Sequence, residues 1–318
     1  MYEVRIMKVL ITGVTGFIGS HLVKELEGNE VYGLVRFGDM PVQHEGYKPV
    51  YGDLTDYHYL AKTIKGMKPD IVVHLAGLTS VSQSFERPQE YFEVNTLGTI
   101  NLAEICLKYD PPLQKFIWAG TPEEYGIQEK YPIREDAPLR PNSPYALSKM
   151  AATQYMLYLS RAYDFPVVVS RHANAYGRKF GIFSQLGVIE NTITQMLNGK
   201  DVCLGQNVWR DFLYIDDILT WYQHLLKSAK AGEIYNAGWG KAHSIEELVE
   251  TTKKLTNFKG KVFWNALPAR PGEIQKIELD YSKAKRELGW KPEVEFKSGL
   301  RSVVKYFKND GQIRSKGN

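Results

Sequence analysis

Between residues 8 and 170, short β-branched runs alternate with amphipathic helical stretches, and that alternation leaves few folds open. Residues 8–12, 31–35, 71–75, 116–119 and 167–170 read as strands, and 18–26, 57–65, 91–107 and 145–163 as helices. In the first helix Ile18, Leu22, Val23 and Leu26 share one face. The strands are continuously apolar, as strands buried on both faces must be. Right-handed crossovers then give an α/β fold with a doubly wound parallel sheet.

From Arg171 onward the chain breaks into shorter pieces rich in Gly, Asn and Arg. One further helix–strand pair reads at 216–227 and 234–237, and a small α/β portion with a helix at 245–255 follows His243. No Pro-, Gly- or Ser-rich linker separates the two parts, so they are expected to interleave. The polar residues 309–318 are expected to fray.

Composition narrows the partners. The 318 residues, 43% hydrophobic and 24% charged, suffice for a sizeable core and exclude a disordered chain. A net charge of +4 is too small to argue for nucleic acid, but it suits a cleft that receives a diphosphate. Cys106 and Cys203 lack metal-type spacing, so no metal is expected, and they read as two buried thiols of a cytoplasmic protein. The N-terminus has no signal-peptide core, and no apolar run approaches the roughly 18 residues of a membrane span.

The first strand ends in Thr12-Gly13-Val14-Thr15-Gly16-Phe17-Ile18-Gly19 before a helix opens. Gly13 permits the tight turn, Gly16 lets backbone approach a pyrophosphate, and Gly19 allows close helix–strand packing. The helix start then offers free N–H groups to phosphates, so a dinucleotide is expected here. At the end of the second strand, Arg36 favours NADP, with NAD left open. No acid follows until Asp39. Asp53 and Leu54, between the strand at 31–35 and the helix at 57–65, border the adenine or form only a turn.

Pro141-Asn142-Ser143-Pro144-Tyr145-Ala146-Leu147-Ser148-Lys149 carries the chemistry. Ser143 reads as an N-cap and Pro144 as the first helical residue. Tyr145 and Lys149 then lie one turn apart on one face. A nearby ammonium would lower the phenol from its ordinary pKa of about 10, making it a base for a hydroxyl proton. Thr121 and Glu123 follow the strand at 116–119, at the end of the sheet where ligands bind. Thr121 can hydrogen-bond a reacting hydroxyl, and a carboxylate here can move a proton on carbon. One of Glu123 and Glu124 is expected to be a solvated loop charge.

Together these pieces resemble the extended short-chain dehydrogenase/reductase family of nucleotide-sugar epimerases and dehydratases. The resemblance runs from Thr12–Gly19 through Asp53, His74-Leu75-Ala76-Gly77, Asn95, Thr121–Gly126, Tyr145–Lys149, Arg171–Gly177 and Arg210-Asp211-Phe212 to Arg270-Pro271-Gly272-Glu273. It implies a Rossmann-type dinucleotide domain over 1–170 and about 213–240, and a smaller α/β nucleotide-sugar domain over 171–212 and 241–318. Thr121, Tyr145 and Lys149 match the catalytic triad, and Glu123 joins them. Gly13, Thr15, Gly16, Phe17, Ile18, Gly19, Arg36, Asp53, Leu54, Leu75, Ala76, Tyr145, Lys149 and His172 are implied to meet the cofactor. Thr79, Ser80, Ser82, Asn95, Asn174, Arg178, Arg210, Arg270 and Glu273 are implied to meet the substrate, Arg210 and Arg270 at phosphate and Glu273 at a ribose. Arg210 could instead only pair with Asp211. His74 reads as a packed or capping residue.

Within the family, the chain is similar to GDP-mannose 4,6-dehydratases at 33–36, 52–56 and the Thr-x-Glu of Thr121 and Glu123. It is similar to GDP-4-keto-6-deoxymannose reductases at Ser80-Val81 and Glu123–Gly126. Pro122 replaces the Asp or Ser of dehydratases, Phe37 reduces an Arg-rich cofactor loop, and 180–187 matches neither group. A 4,6-dehydratase is the leading expectation, with a 4-keto reductase and a 4-epimerase as rivals. A non-catalytic dinucleotide-binding regulator is the rival of another class. The resemblance also implies a homodimer through the helices at 95–107 and 145–163, with Ala151, Ala152, Met156 and Leu159 on the shared face.

Overall fold

The computed structural model describes residues 6–36, 38, 46–108, 112–178 and 187–315, with side chains to Asn309. Phe37, Asp39 and residues 180–186 lie outside the described residues. The elements run β1 (Lys8–Thr12), α1 (Phe17–Glu25), β2 (Glu30–Val35), β3 (Lys48–Tyr51), α2 (Tyr57–Met67), β4 (Ile71–His74), α3 (Val81–Glu86) and α4 (Pro88–Tyr91). A π-helical turn (Phe92–Leu97) leads to α5 (Gly98–Leu107), then β5 (Lys115–Ala119), a 3-10 turn (Pro122–Tyr125), α6 (Pro144–Tyr163), β6 (Val167–His172) and β7 (Asn174–Tyr176). There follow α7 (Val188–Leu197), β8 (Val202–Cys203), β9 (Trp209–Tyr214), α8 (Ile215–Ser228), β10 (Ile234–Ala237), β11 (Ala242–Ser244) and α9 (Ile245–Thr256). The last are β12 (Val262–Phe263), β13 (Lys276–Ile277), α10 (Ser282–Leu288) and α11 (Phe296–Ser315).

Seven strands form one parallel sheet in the order β10-β6-β5-β4-β1-β2-β3. Alternate residues of each strand point to opposite faces. Leu10, Val72, Phe116, Val167 and Val169 pack with Leu60 and Ile64 of α2, Leu102 and Ile105 of α5, and Met156 of α6. Val9, Ile11, Val73, Ile117 and Val168 pack on the other face with Leu22 and Val23 of α1 and Ile218 and Trp221 of α8. This is the doubly wound Rossmann-type fold, and its strand order reverses between β1 and β4, where a crevice opens.

A second sheet centres on β9, which pairs antiparallel with β11 and parallel with β13 and β7. Asp211 ties it to the loop after β10 and to the segment after β13: its buried carboxylate accepts from the backbone N–H groups of Trp239, Gly240 and Leu279. A buried Arg171–Glu124 pair, 2.6 Å apart, locks the 3-10 turn after β5 to β6.

Three expectations change. The tail does not fray from Asn309: α11 continues to Ser315, carried by Phe296, Leu300, Val303 and Val304 buried along its first turns. The thiols are not both buried: Cys106 is, but Cys203 is exposed, because the short edge strand β8 turns Val202 inward and Cys203 out. The helix expected at 91–107 is interrupted by the π turn.

Candidate active site

At the crevice, the Gly-rich loop is shaped by close approach. Gly13 has φ +72°, and a Cβ there would lie 2.8 Å from the Ala76 nitrogen. A Cβ on Gly19 would lie 2.2 Å from the Gly13 carbonyl oxygen. Gly16 caps α1 with no side-chain hydrogen bond, and no acid stands in the first turn. The N–H groups of the helix start are therefore left for an anion. Thr15, Gly16, Phe17 and Ile18 are half-exposed along the loop, and Leu75 and Ala76 are half-exposed across from it on the β4 side. These features fit a dinucleotide pyrophosphate.

Arg36 is exposed directly after β2. Asp53 forms a turn, its Oδ1 accepting from Thr55 N and Oγ1 at 2.9 and 2.8 Å, while Leu54 is buried. His172 is half-buried at the end of β6, with its Nδ1 3.0 Å from the Ala173 carbonyl. His74 is fully buried between Thr12 Oγ1 (2.6 Å) and Thr99 Oγ1 (3.0 Å), with its pKa lowered by burial, and serves packing.

Ser143 caps α6 by accepting from Ala146 N at 3.1 Å, and Pro144 opens the helix. That start brings Tyr145, 8% exposed, beside Thr121, 5% exposed, whose side chain acts to lower the phenol's pKa. Tyr91 packs edge-on to Tyr145 at 6.3 Å, and its hydroxyl donates to the Ser80 carbonyl at 2.6 Å. The expected lowering of the phenol does not hold in this structure. Burial pushes Tyr145 up, and Thr121 only partly offsets it. Burial also lowers Lys149 to about 7, and its Nζ lies over the Trp118 ring, 3.7 Å from the centroid. The Lys149 amine thus meets an indole face, and burial disfavours the charge that would act on the phenol.

Neither glutamate of the 3-10 turn is a solvated loop charge. Glu124 is fully buried, where its carboxylate accepts from Thr121 N, Thr153 Oγ1 and Arg171. With Thr121 it forms a capping box, and Pro122 fits the first position of the turn. Glu123 is half-buried, and burial raises its pKa; the charges of Arg210 and Arg270 oppose that, and Glu273 adds to it. Tyr145 feels the Glu123 charge in turn. Thr121, Glu123 and Tyr145 therefore form one cluster, and Arg210 and Arg270 face it.

Arg210 does not pair with Asp211, whose carboxylate the backbone claims; its Nη2 donates to Glu273 at 2.6 Å instead. Arg270 also holds Glu273. Asn95, 0% exposed, turns inward from the π turn, accepting from Leu78 N and donating to the Leu78 carbonyl and Ser148 Oγ. Both its polar atoms are thereby engaged within the protein, so it positions the loop after β4 rather than reaching a ligand. Ser80 caps α3, while Thr79, Ser82, Asn174 and Arg178 are exposed, the last paired with Asp216 at 2.8 Å. Sequence reasoning missed Trp118, Tyr91, Ser148 and Asn142, whose Nδ2 donates to the Gly272 carbonyl. Of these only Trp118 left a signal, one residue before Ala119-Gly120 at a strand end.

Comparisons with known proteins agree with this geometry. A family described as GDP-mannose 4,6 dehydratase matches residues 10–303. A Methanocaldococcus jannaschii protein provisionally named UDP-glucose 4-epimerase is 33% identical, over 96% of this chain and 99% of its own. The human dTDP-D-glucose 4,6-dehydratase is 30% identical, over 95% of this chain and 90% of its own. The Thermotoga maritima UDP-glucose 4-epimerase, solved with UDP-glucose, has a TM-score of 0.89 at 29% identity, covering 96% and 99% of the two chains. The Thermus thermophilus UDP-glucose 4-epimerase, solved with NAD, has a TM-score of 0.87 at 32% identity, covering 95% and 99%. No helix among the described residues is long and apolar enough to cross a membrane. With its Gly-rich crevice, its Tyr-x-x-x-Lys helix and a family match over almost its whole length, the chain belongs to the GDP-mannose 4,6 dehydratase family of nucleotide-sugar dehydratases and epimerases.

Proposed function

We propose that this chain is a nucleotide-sugar 4,6-dehydratase of the GDP-mannose type, acting in the cytoplasm. Glu123 carries the reading: a half-buried carboxylate with a raised pKa, electrostatically coupled to Tyr145. A bound nicotinamide dinucleotide supplies a hydride sink at C4 and a hydride source at C6. Thr121 and Tyr145 hold the C4 hydroxyl, and Tyr145 Oη takes its proton as the phenolate, the form that burial disfavours in the free chain. The ketone at C4 acidifies the C5 proton. Glu123 removes that proton and passes it to the C6 hydroxyl, which departs as water while a C5–C6 double bond forms. With Pro122 in place of a second acid, Glu123 performs both transfers, and its raised pKa suits a group that holds a proton in passing. The proton removed by Tyr145 is balanced by one delivered to C5 at the end of the cycle.

Arg210 and Arg270 hold the diphosphate, and Glu273 meets the nucleoside ribose. The cofactor portion is 1–170 with about 213–240, and the substrate portion 171–212 with 241–318. Arg36 supports NADP; the NAD held by the Thermus relative supports NAD as the second cofactor reading. A homodimer forms through α5 and α6.

The test is mass analysis of products from GDP-mannose, UDP-glucose and dTDP-glucose. Loss of one water, abolished by Glu123→Gln, is the expected result. Unchanged mass with inverted C4, unaffected by Glu123→Gln, would replace this reading with a 4-epimerase, which the Methanocaldococcus and Thermotoga relatives favour.

A further inference from the structure

Glu273 bridges both arginines assigned above to the diphosphate. Its Oε1 accepts from Arg210 Nη2 at 2.6 Å and from Arg270 Nη2 at 2.5 Å, and its Oε2 from Arg270 Nε at 2.5 Å. The Arg210 and Glu273 side chains are 7% and 13% exposed, so water screens this pair little. Arg210 is anchored independently, its Nη1 donating to the carbonyls of Trp209 and Ile274. The carboxylate is therefore the exchangeable partner. Two forked guanidinium groups held around one pair of oxygens make the geometry that also takes phosphate oxygens. Glu123 also acts on both arginines through its charge, but only Glu273 hydrogen-bonds them. Glu273 follows Gly272, at φ +63°, whose carbonyl is tied to Asn142 beside the cap of α6.

We propose that Glu273 is a specificity-determining residue. In the free chain its carboxylate occupies Arg210 and Arg270 in place of an anion. A ligand enters well only if it brings a diphosphate for the arginines and hydroxyl groups for the displaced carboxylate. This inference rests on the diphosphate reading of Arg210 and Arg270. Inorganic pyrophosphate has the charge but no ribose hydroxyls for Glu273, and binds against its repulsion. A nucleoside diphosphate offers ribose hydroxyls, and turns the same residue from competitor to partner.

Calorimetry on wild type, Glu273→Gln and Arg270→Gln with pyrophosphate, and with the tightest-binding of GDP, UDP and dTDP, tests this. Glu273→Gln should bind pyrophosphate roughly ten-fold more tightly than wild type, the worth of one charged hydrogen bond. The nucleotide should gain less, so that selectivity between the two falls. Arg270→Gln should weaken both. If Glu273→Gln binds pyrophosphate no better while Arg270→Gln weakens both, the proposal is overturned and the arginine reading stands. If Arg270→Gln changes neither, or no protein binds either probe, the arginine reading falls and the proposal with it. Because Glu273→Gln strips a buried Arg210 of its carboxylate, wild type should also be crystallised with that nucleotide. Glu273 released from both arginines supports the proposal, and Glu273 still bonded to both overturns it.

Discussion

Lys149 shows what a residue's neighbours in space can do to an argument made along the chain. Four positions from Tyr145, it reads as the ammonium that lowers a phenol; in the fold it is buried, lies against Trp118 and titrates at about 7. Unfolded, a lysine titrates at about 10.4. Between those two values the unfolded chain binds more protons than the folded one, so this group makes stability rise with pH across that window and contributes no slope below it. Lys149→Met removes the titration. In urea unfolding from about pH 6.5 to about pH 9.5, the stability of wild type minus that of Lys149→Met should climb as pH rises through 7. A pH-independent difference would show that Lys149 remains an ordinary exposed cation. The same limit applies to Glu123 and Glu124. One residue apart in sequence, they part only because the capping box and Arg171 claim Glu124.

Local elements were legible where a single periodicity governs them. Six of the seven parallel strands and the Gly-rich loop fall where the apolar runs and glycine spacing put them, because burial on both faces and close backbone approach each leave a local pattern; β3, a mostly exposed edge strand, carries no such run. The π turn did not, since its hydrogen bonds leave the apolar spacing of 91–107 helical while swinging Asn95 inward. The second sheet was equally opaque: β7, β11 and β13 are two or three residues long, and each exists through β9 rather than through its own sequence. Gly19 and Gly66 give a matched test of the loop. A methyl on Gly19 meets the Gly13 carbonyl, whereas one on Gly66 within α2 meets nothing within 4 Å. Gly19→Ala should lower stability by about 1–3 kcal/mol and weaken dinucleotide binding with it. Gly66→Ala should raise stability by about 0.5–1 kcal/mol and leave binding unchanged. Thermal unfolding with and without NAD or NADP reads both. Equal effects at the two sites would remove the close-approach account of Gly19.

At the scale of the whole molecule, the face proposed for dimerisation is not the one its sequence suggested. Ala152, Met156 and Leu159 are completely buried against the sheet and cannot meet a second chain. Their spacing reported the core-facing stripe of α6, and an apolar stripe alone does not say whether it covers a sheet or a partner. The opposite stripe carries the outward apolar surface: Leu147 and Tyr158 are 41% and 44% exposed, and Leu97 on the adjoining helix is 55% exposed. Tyr155 donates to Glu104 at 2.6 Å, fixing α6 to α5 so that both helices present one shared surface. A symmetric pairing of that surface brings four helices together, and it must bury on the order of 1,000 Å² or more to persist in solution. Tyr145 and Lys149 lie on α6, so a contact there would also stiffen the helix that carries the chemistry. The wild-type protein should therefore sediment at twice its 36.3 kDa chain mass. The double variant Leu97→Asp, Leu147→Asp should sediment at one chain mass and keep its fold by circular dichroism, because neither side chain belongs to the core. Its turnover should fall while dinucleotide affinity, set by the Gly-rich loop rather than by Leu97 or Leu147, holds. A wild type that sediments as a single chain, or a double variant that stays paired, would move the interface off α5 and α6.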